Sequence, residues 1–264
     1  MTAQEETEVK VPVVLGKPTS RNVIIRHFTQ HVRSTLFSEF QLILLTFCTG
    51  IQDAVTFPEY HCFASNQTGN TVFLILALVT PALDGDMFIT KNIGAAFGLF
   101  LAGGWLTGQL SHLIGPRRRW WLLLCNLVQT ALVFTAAAIQ WTRPVVPSDQ
   151  WALLVVGLLA FAAGSQVVQS RSLAMTEIST AMATAAWVDL MIDQRLLCLS
   201  GNRPRNRRVA FLIALVLGSL CGAFIHREVG PAVAILVSAS GKLLVCLMYL
   251  FAGSERDPLN QSMV

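Results

Sequence analysis

Long apolar segments separated by short polar stretches run through most of the chain. They lie at about 40–57, 67–82, 93–114, 120–140, 151–168, 178–192, 208–226 and 231–252. A helix needs about 20 apolar residues to cross a bilayer, and all but the second and sixth segments meet or nearly meet that length. Those two begin with polar residues, which is typical of half-helices that enter and leave the membrane on the same side. The pattern predicts an all-α, polytopic transmembrane helical bundle of six full spans plus two short segments, with eight spans as the alternative.

The stretches outside these segments are polar. Residues 1–21 predict a disordered cytoplasmic tail, and residues 253–264 predict a second cytoplasmic tail. Between 22 and 39, apolar side chains recur every four residues from Phe28 onward, while basic and polar residues occupy the other face. This spacing predicts a basic amphipathic helix that lies on the membrane surface. The transmembrane domain is therefore expected at 40–252.

Composition narrows the class of protein. Of the 264 residues, 53% are apolar and 13% are charged, with a mean hydropathy of +0.57, whereas soluble domains have about 25% charged residues. These values exclude an ordinary cytosolic enzyme, a disordered protein and a nucleic-acid binder. The lipid bilayer is the first expected partner, and no nucleic acid is expected. The six cysteines lack the Cys-x-x-Cys and Cys/His spacings of metal sites, so we expect no metal and no cofactor.

A shift of 114 residues aligns the chain with itself. It pairs Gly50 with Gly164 and Gln52 with Gln166. Further along, it pairs Asn92, Ala96, Phe97, Gly104, Gly108 and His112 with Asn206, Ala210, Phe211, Gly218, Gly222 and His226. Apolar composition alone would not place a Gly-x-x-x-Gly-x-x-x-His in both copies. The alignment predicts a tandem duplication of about 114 residues, with repeat one at about 40–140 and repeat two at about 151–252.

The positions of Lys and Arg discriminate between six and eight spans. With six spans and a cytoplasmic N-terminus, 15 basic residues face the cytoplasm and 3 face the other side, against 13 and 5 with eight spans. Because cytoplasmic loops carry the excess of Lys and Arg, six spans fit better, with both termini in the cytoplasm. The basic clusters at 117–119 and 203–208 also occupy different places in the two repeats, which favours halves of inverted topology.

One ionisable residue lies well inside the first apolar segment. Asp53 shares a helical face with Thr49 and Thr56, and a charged side chain at membrane depth usually faces a cavity or a partner. It is interpreted either as a carboxylate that binds a proton or a cation, or as an acceptor for backbone and hydroxyl groups of a neighbouring segment. On the first interpretation, Gln52 and Gln166 belong to the same substrate- or ion-binding set as Asp53 and Thr49.

Polar residues at 65–71 open the second apolar segment. As the start of a broken helix, this run predicts backbone N–H groups that point into a cavity and bind a solute. The alternative is a loop and a helix cap without a ligand. The candidate solute contacts are Asn66, Thr68, Gly69 and Asn70.

Glycine and histidine occupy matching positions in the two repeats. The spacing of the glycines predicts close helix packing at Gly104, Gly108, Gly218 and Gly222. His112 and His226 follow four residues later near a membrane boundary. They are interpreted either as a symmetric pair of proton carriers or as interfacial hydrogen-bonding groups.

Two motifs carry a resemblance to a known family. The strings GIQDAVTF at 50–57 and NQTGNTV at 66–72 resemble the signature of the YoaK-like family, a domain-of-unknown-function family of multi-pass membrane proteins. The similarity covers roughly 40–252, and the polar, basic N-terminal extension resembles fungal members. The resemblance implies a polytopic fold and singles out Gly50, Asp53, Thr68, Gly69 and Asn70, but implies no activity. The second repeat departs from the signature, because it lacks both the Asp and the Gly-Asn pair.

These features favour a small-molecule permease or secondary carrier of unknown solute. The chain has no GxxxxGK[ST] motif, so an ATPase site of its own is not expected. One alternative is a membrane-embedded enzyme acting on an apolar substrate, although HExxH, GxSxG and clustered histidine boxes are missing. The other is a non-catalytic membrane partner protein. Whether the chain forms a homo-oligomer is left open by its sequence.

Overall fold

The computed structural model describes residues 27–143, 146–197 and 201–253. Within these ranges the chain is helical, with no β-strand, as the sequence predicts. A short 3-10 turn at Pro81–Leu83 follows the second helix. The α-helices are α1 (Leu36–Tyr60), α2 (Gln67–Val79), α3 (Thr90–Ile114), α4 (Arg119–Thr142), α5 (Gln150–Ser172), α6 (Ala183–Met191), α7 (Arg203–Glu228) and α8 (Pro231–Phe251).

Six of these helices are long and apolar enough to cross a membrane. They are α1, α3, α4, α5, α7 and α8, with 21 to 26 residues each, or about 32–39 Å at 1.5 Å per residue. With 13 and 9 residues, α2 and α6 are too short to span a bilayer. The prediction of six full spans plus two short segments is therefore confirmed, and the protein is an integral membrane protein.

Each long helix packs mainly along a long helix from the other half of the chain. α1 packs along α7 and α5 packs along α3, while α4 lies against α8. Each short helix packs instead on the long helix that follows it in the same half, α2 on α3 and α6 on α7. α1 and α5 are the most buried of the six long helices, and α3 and α7 are the least. This arrangement is what a duplicated chain would give, and the duplication itself stays a prediction.

Two turns at matching places end α3 and α7. Gly115 and Gly230 have φ angles of 107° and 113°, which lie in a region that favours glycine. Proline follows each of them, and Pro231 starts α8 at once because its fixed φ suits the first turn of a helix. The two Gly-Pro pairs thus reverse the chain tightly between consecutive spans.

Hydrogen bonds show which helix termini lie together. At the end of the bundle where α1 begins, Val32 N donates to Arg117 O and Arg33 N donates to Gly253 O, both at 2.9 Å. At the other end, Asn92 Nδ2 donates to Tyr60 O and Pro147 O, both at 2.8 Å.

The first of these ends, called the basic end below, contains most of the described basic residues. They are Arg33, Arg117, Arg118, Arg119, Arg171, Arg195, Arg203, Arg205, Arg207 and Arg208, whereas Lys91, Arg143 and Arg227 lie at the opposite end. α1 runs away from the basic end and α5 runs towards it. α1 and α5, which the predicted 114-residue shift aligns, thus have opposite directions.

The amphipathic helix predicted over 22–39 is interrupted in the structure. Residues 27–29 are helical, 30–35 are not, and α1 begins at Leu36. The break occurs because Val32 is fully buried and its backbone pairs with the turn before α4, where Arg119 N donates to Gln30 O at 3.1 Å. The tails predicted at 1–21 and beyond 253 lie outside the described residues.

Candidate functional site

The chain turns back into the bundle after α1. α1 ends at Tyr60, and α2 begins at Gln67 close to Asp53, seven residues before the end of α1. Seven residues correspond to about 10 Å along the helix axis, so α2 starts inside the bundle and returns to the same end. Phe63 stacks on Phe57 with ring centroids 4.7 Å apart. α2 is thus a re-entrant half-helix.

The Asn70 side chain stabilises this re-entrant turn through hydrogen bonds. Its Oδ1 accepts from Phe63 N at 2.9 Å, and its Nδ2 donates to Phe63 O at 2.7 Å and to Gln67 Oε1 at 2.9 Å. The side chain is fully buried. Of the four candidate solute contacts in this run, Asn70 therefore bonds to the chain itself, whereas Asn66, Thr68 and Gly69 line a cavity.

Asp53 lies at the junction between α1 and the re-entrant turn. Its Oδ1 accepts from Ser65 N at 3.0 Å, and its Oδ2 accepts from Ser65 Oγ at 2.5 Å. Within the described chain, no Lys, Arg or His lies within ion-pair distance of this carboxylate. Asp53 also borders the cavity. Its bonds to Ser65 match the interpretation as an acceptor for a neighbouring segment, and the binding of a proton or a cation stays a prediction.

The first turn of α2 is capped by the chain itself. Gly69 N donates to Asn66 Oδ1 at 3.3 Å, Asn70 N donates to Asn66 O at 3.3 Å, and Gln67 N donates to Ser65 O at 3.1 Å. The sequence instead predicts free N–H groups pointing into the cavity. The N-cap residue Asn66 accepts from Gly69 N with its side chain, as an Asn commonly does at this position, so this donor does not point freely into the cavity.

The cavity beside Asp53 has a volume of about 1080 Å³ and is lined by both halves of the chain. The first half supplies Asp53, Phe63, Ser65, Asn66, Gln67, Thr68, Gly69 and Phe100, and the second half supplies Val167, Ala181, Met182, Ala183, Thr184, Ala185, Val188, Asp189, Leu215 and Ser219. Positions related by the predicted 114-residue shift border the same cavity, including Asp53 and Val167, and Gly69 and Ala183.

Three of the predicted site residues lie in a buried polar layer rather than on the cavity. Gln166 Nε2 donates to Thr49 Oγ1 at 2.9 Å, and Gln52 Nε2 donates to Ser238 Oγ at 2.7 Å. Gln166 Oε1 accepts from Lys242 Nζ. These bonds join α1, α5 and α8 at the centre of the bundle.

Lys242 and Ser238 belong to this layer but were not singled out from the sequence. Lys242 is the charged one of the two. It is 1% exposed, and no acidic side chain of the described ranges lies within ion-pair distance. A lone lysine inside an apolar segment was the available signal, since such residues are costly in a membrane and usually functional.

A second polar cluster lies between α3, α4 and α5. Ser165 Oγ accepts from Thr107 Oγ1 at 2.8 Å and from Gln129 Nε2 at 3.0 Å, and Gln129 Nε2 also reaches Gln169 Oε1 at 3.0 Å. None of these residues was singled out from the sequence. These hydrogen bonds connect the three helices, as polar side chains commonly do between helices in lipid.

The two histidines lie at opposite ends of the bundle. His112 is exposed in the last turn of α3, which ends at the basic end. His226 lies at the opposite end of α7, where its Nε2 is 2.6 Å from Glu59 Oε1. The structure therefore does not bring the two rings together.

Close helix approach involves glycines that only partly match the predicted set. A Cβ at Gly218 would overlap the carbonyl oxygen of Phe47, and one at Gly222 would lie 2.8 Å from Ile51 Cα. In α3, by contrast, Cβ atoms at Gly104 and Gly108 would have ordinary contacts at 3.7 and 3.9 Å. The tight contacts of the α3–α5 crossing belong instead to Gly103 and Gly164, which meet the carbonyl oxygens of Phe161 and Phe100.

Ion pairs connect the second half of the cavity to the basic end. Arg208 Nη2 lies 3.4 Å from Asp189 Oδ2, on the cavity side of α6. Arg207 lies 2.7 Å from Glu39 and 3.3 Å from Glu177, so it joins α7 to α1 and to the turn before α6. Asp193 follows α6, and its hydrogen bond from Arg195 N is the main reason that its pKa is lowered. These pairs hold α6 in place.

Comparison with known proteins adds a family to this geometry. A family model described as "Protein of unknown function (DUF1275)" matches residues 41–248, which include both motifs, the cavity and the buried polar layer. No curated protein and no solved structure matches the chain. The resemblance to a domain-of-unknown-function family is thereby confirmed. The chain belongs to the DUF1275 family of proteins of unknown function.

Proposed function

We propose that the protein is a small-molecule permease or secondary carrier whose solute site is the cavity beside Asp53. The observation that carries the proposal is the pairing of two short helices at this cavity. α2 places residues 65–69 on one wall, and α6 forms the facing wall from the other half of the chain. Broken helices that meet near the bilayer midplane at the interface of inverted halves are typical of secondary transporters.

The directions of α2 and α6 suit alternating access. α2 runs from the cavity to one end of the bundle, and α6 runs from the cavity to the basic end. Movement of α2 would open the cavity towards one side, and movement of α6 would open it towards the other. The ion pairs of Arg208 with Asp189 and Asp193 keep the α6 side closed.

Each site residue has a role in this proposal. Asp53 binds a proton or cation, and Asn66, Thr68 and Gly69 contact the solute. Asn70 holds the re-entrant turn in place. Thr49, Gln52 and Gln166 form the polar layer that ties the halves together behind the cavity. His112 and His226 remain candidate interfacial groups outside the solute path.

The distribution of basic residues supports an orientation. Arg residues are concentrated at the basic end, and cytoplasmic loops carry the excess of Lys and Arg. The basic end, where α1 begins and α8 ends, then faces the cytoplasm.

Transport by purified protein tests the proposal. Metabolite profiling of a deletion strain identifies candidate solutes without a guess at their chemistry, and their flux is then measured in proteoliposomes. Asp53→Asn is expected to lower the flux at least tenfold, because the isosteric amide keeps the shape but removes the charge (about 1.4 kcal/mol per tenfold change). Asp86→Asn is the matched control, since Asp86 is exposed and lies outside the cavity. An unchanged flux in Asp53→Asn would contradict the role of this carboxylate.

A further inference from the structure

The charges and rings on the cavity wall indicate what kind of solute fits it. We infer that the cavity binds an organic monocation with a largely apolar body. The inference rests on the proposed function, because it names the solute class of that same site. It follows from three features of the wall: its net charge, the hydrogen bonding of the backbone N–H groups at the start of α2, and its apolar surface.

The wall has one negative charge without a partner. It contains two acidic side chains, Asp53 and Asp189, and no Lys, Arg or His among the residues that line it. Asp189 is compensated by Arg208, whose Nη2 lies 3.4 Å away. Asp53 accepts hydrogen bonds from Ser65 N and Ser65 Oγ, which carry no charge. A solute with a single positive charge would neutralise it, whereas an anion would add a second uncompensated charge.

The helix start beside Asp53 offers little to an anionic group. Helix N-termini bind anions through free backbone N–H groups. Here Gln67 N and Asn70 N donate to backbone oxygens of Ser65 and Asn66, and Gly69 N donates to the Asn66 side chain. Three backbone N–H groups of this turn, those of Gln67, Gly69 and Asn70, therefore already have acceptors within the chain.

The remaining surface favours an organic ion over an inorganic one. Phe63 and Phe100 contribute aromatic rings, and Val167, Val188 and Leu215 contribute aliphatic side chains. Aromatic faces attract ammonium groups, and apolar walls with a few polar groups are typical of organic ligand sites. A volume of about 1080 Å³ also leaves room for a hydrocarbon body.

A set of probes with nearly equal shape separates charge from size. The full chain in lipid nanodiscs is titrated by calorimetry with choline as the cation, betaine as the zwitterion, 3,3-dimethylbutanoate as the anion and 3,3-dimethylbutan-1-ol as the neutral analogue. Choline is expected to bind at least about tenfold more tightly than the other three. Phenyltrimethylammonium, which adds an apolar ring, is expected to bind more tightly than choline. A preference for the anion, the zwitterion or the neutral probe, or no binding of any probe, overturns the inference.

Two variants connect the preference to the wall. Asp53→Asn is expected to remove the preference for choline over the neutral probe, while Asp86→Asn keeps it. Phe100→Leu keeps an apolar side chain but removes a ring, so choline affinity is expected to fall about threefold with the neutral probe unchanged. This second variant keeps the inference testable if Asp53→Asn does not fold. Unchanged choline affinity in a folded Asp53→Asn protein overturns the inference.

Uptake into proteoliposomes separates the solute class from the carrier function. Uptake of choline that depends on Asp53 supports both. Binding of choline without uptake supports the cation site but contradicts the proposed carrier. Uptake of the neutral or anionic probe without choline uptake supports the carrier and overturns the cation inference.

Discussion

The Asn70 side chain holds the re-entrant turn in place without lining the cavity. Its amide hydrogen-bonds to both the N–H and the C=O of Phe63. Cys62, which precedes Phe63 in the chain, is fully buried. Burial, and to a smaller extent the charge of Asp53, raise the pKa of the Cys62 thiol to about 12. Because the thiolate is the reactive form, Cys62 stays unreactive at neutral and mildly alkaline pH for as long as Asn70 keeps the turn closed.

Loss of the Asn70 amide should therefore expose Cys62. Asn70→Ala leaves the Phe63 N–H and C=O without partners, at a cost of about 1–3 kcal/mol each. The thiol pKa then falls towards its ordinary value of about 8.5, and alkylation at pH 8 accelerates by tenfold or more. Mass-spectrometric mapping of maleimide adducts measures the rate. The control is Thr71→Ala, because exposed Thr71 bonds only to a carbonyl of its own helix. Equal alkylation of wild type and Asn70→Ala would refute this role.

Lys242 is expected to lower the stability of the bundle, because its buried charge has no acidic partner within the described residues. Lys242→Met should leave the thermal unfolding temperature unchanged or raise it, since a residue of similar volume removes the desolvated charge. Gln166→Leu should lower it, by roughly 1.5–3 kcal/mol of unfolding free energy, because the ammonium loses its acceptor. The double variant should recover most of that loss. Additive effects in this double-mutant cycle would show that the two side chains are not coupled.

At the scale of elements, helix crossings depend on which glycines meet a backbone. Gly164→Ala and Gly218→Ala should each destabilise the bundle by at least about 1–3 kcal/mol, because the new Cβ would overlap a carbonyl oxygen of the facing helix. Gly98→Ala is the control within α3, since nothing lies within 4 Å of its Cβ position and alanine favours helix. Thermal unfolding in detergent measures all three. A Gly164→Ala protein as stable as Gly98→Ala would contradict the crossing geometry.

The elements also show how far sequence reasoning reaches. Apolar length alone gave six spans and two half-helices, because burial in lipid requires long apolar helices whatever their tertiary contacts. The interrupted helix near residue 32 was missed, since its backbone pairs with residues 117 and 119, far along the chain. The Gly-x-x-x-Gly spacing likewise pointed to Gly104, whereas Gly103 makes the tight contact. The spacing could not distinguish them, because the rotation of α3 about its axis is set by the helix that packs against it.

The site was predictable to a similar degree. The sequence singled out Asp53 and the run at 65–71, because polar residues in apolar segments stand out, and residues of both border one cavity in the structure. Their partners were harder to find. The roles of Ser65 as donor to Asp53, and of Asn66 in capping α2, depend on how tightly the chain turns after α1. The pairing of α2 with α6 across one cavity depends on helix packing.

At the scale of the whole molecule, the six-span arrangement places the loop after α2 and the loop after α6 at opposite ends of the bundle. Asp86→Cys and Gln194→Cys each introduce a thiol at an exposed position, one after α2 and one after α6. A membrane-impermeant maleimide should label the first only from outside and the second only from the cytoplasm, if the basic end is cytoplasmic. Labelling of intact and permeabilised cells checks this. Labelling of both positions from the same side would contradict the inverted arrangement of the halves.

Arg119 makes the last residues of α8 part of the folded unit. Its guanidinium is almost fully buried and donates to Leu250 O at 2.9 Å and Ala252 O at 2.5 Å. The family match ends at residue 248. A chain that ended there would lack the carbonyl groups of Leu250 and Ala252, and the buried Arg119 guanidinium would lose these two acceptors. The minimal folding unit of this protein therefore extends past the boundary of its family, to the residues that Arg119 and Arg33 hold at 250–253.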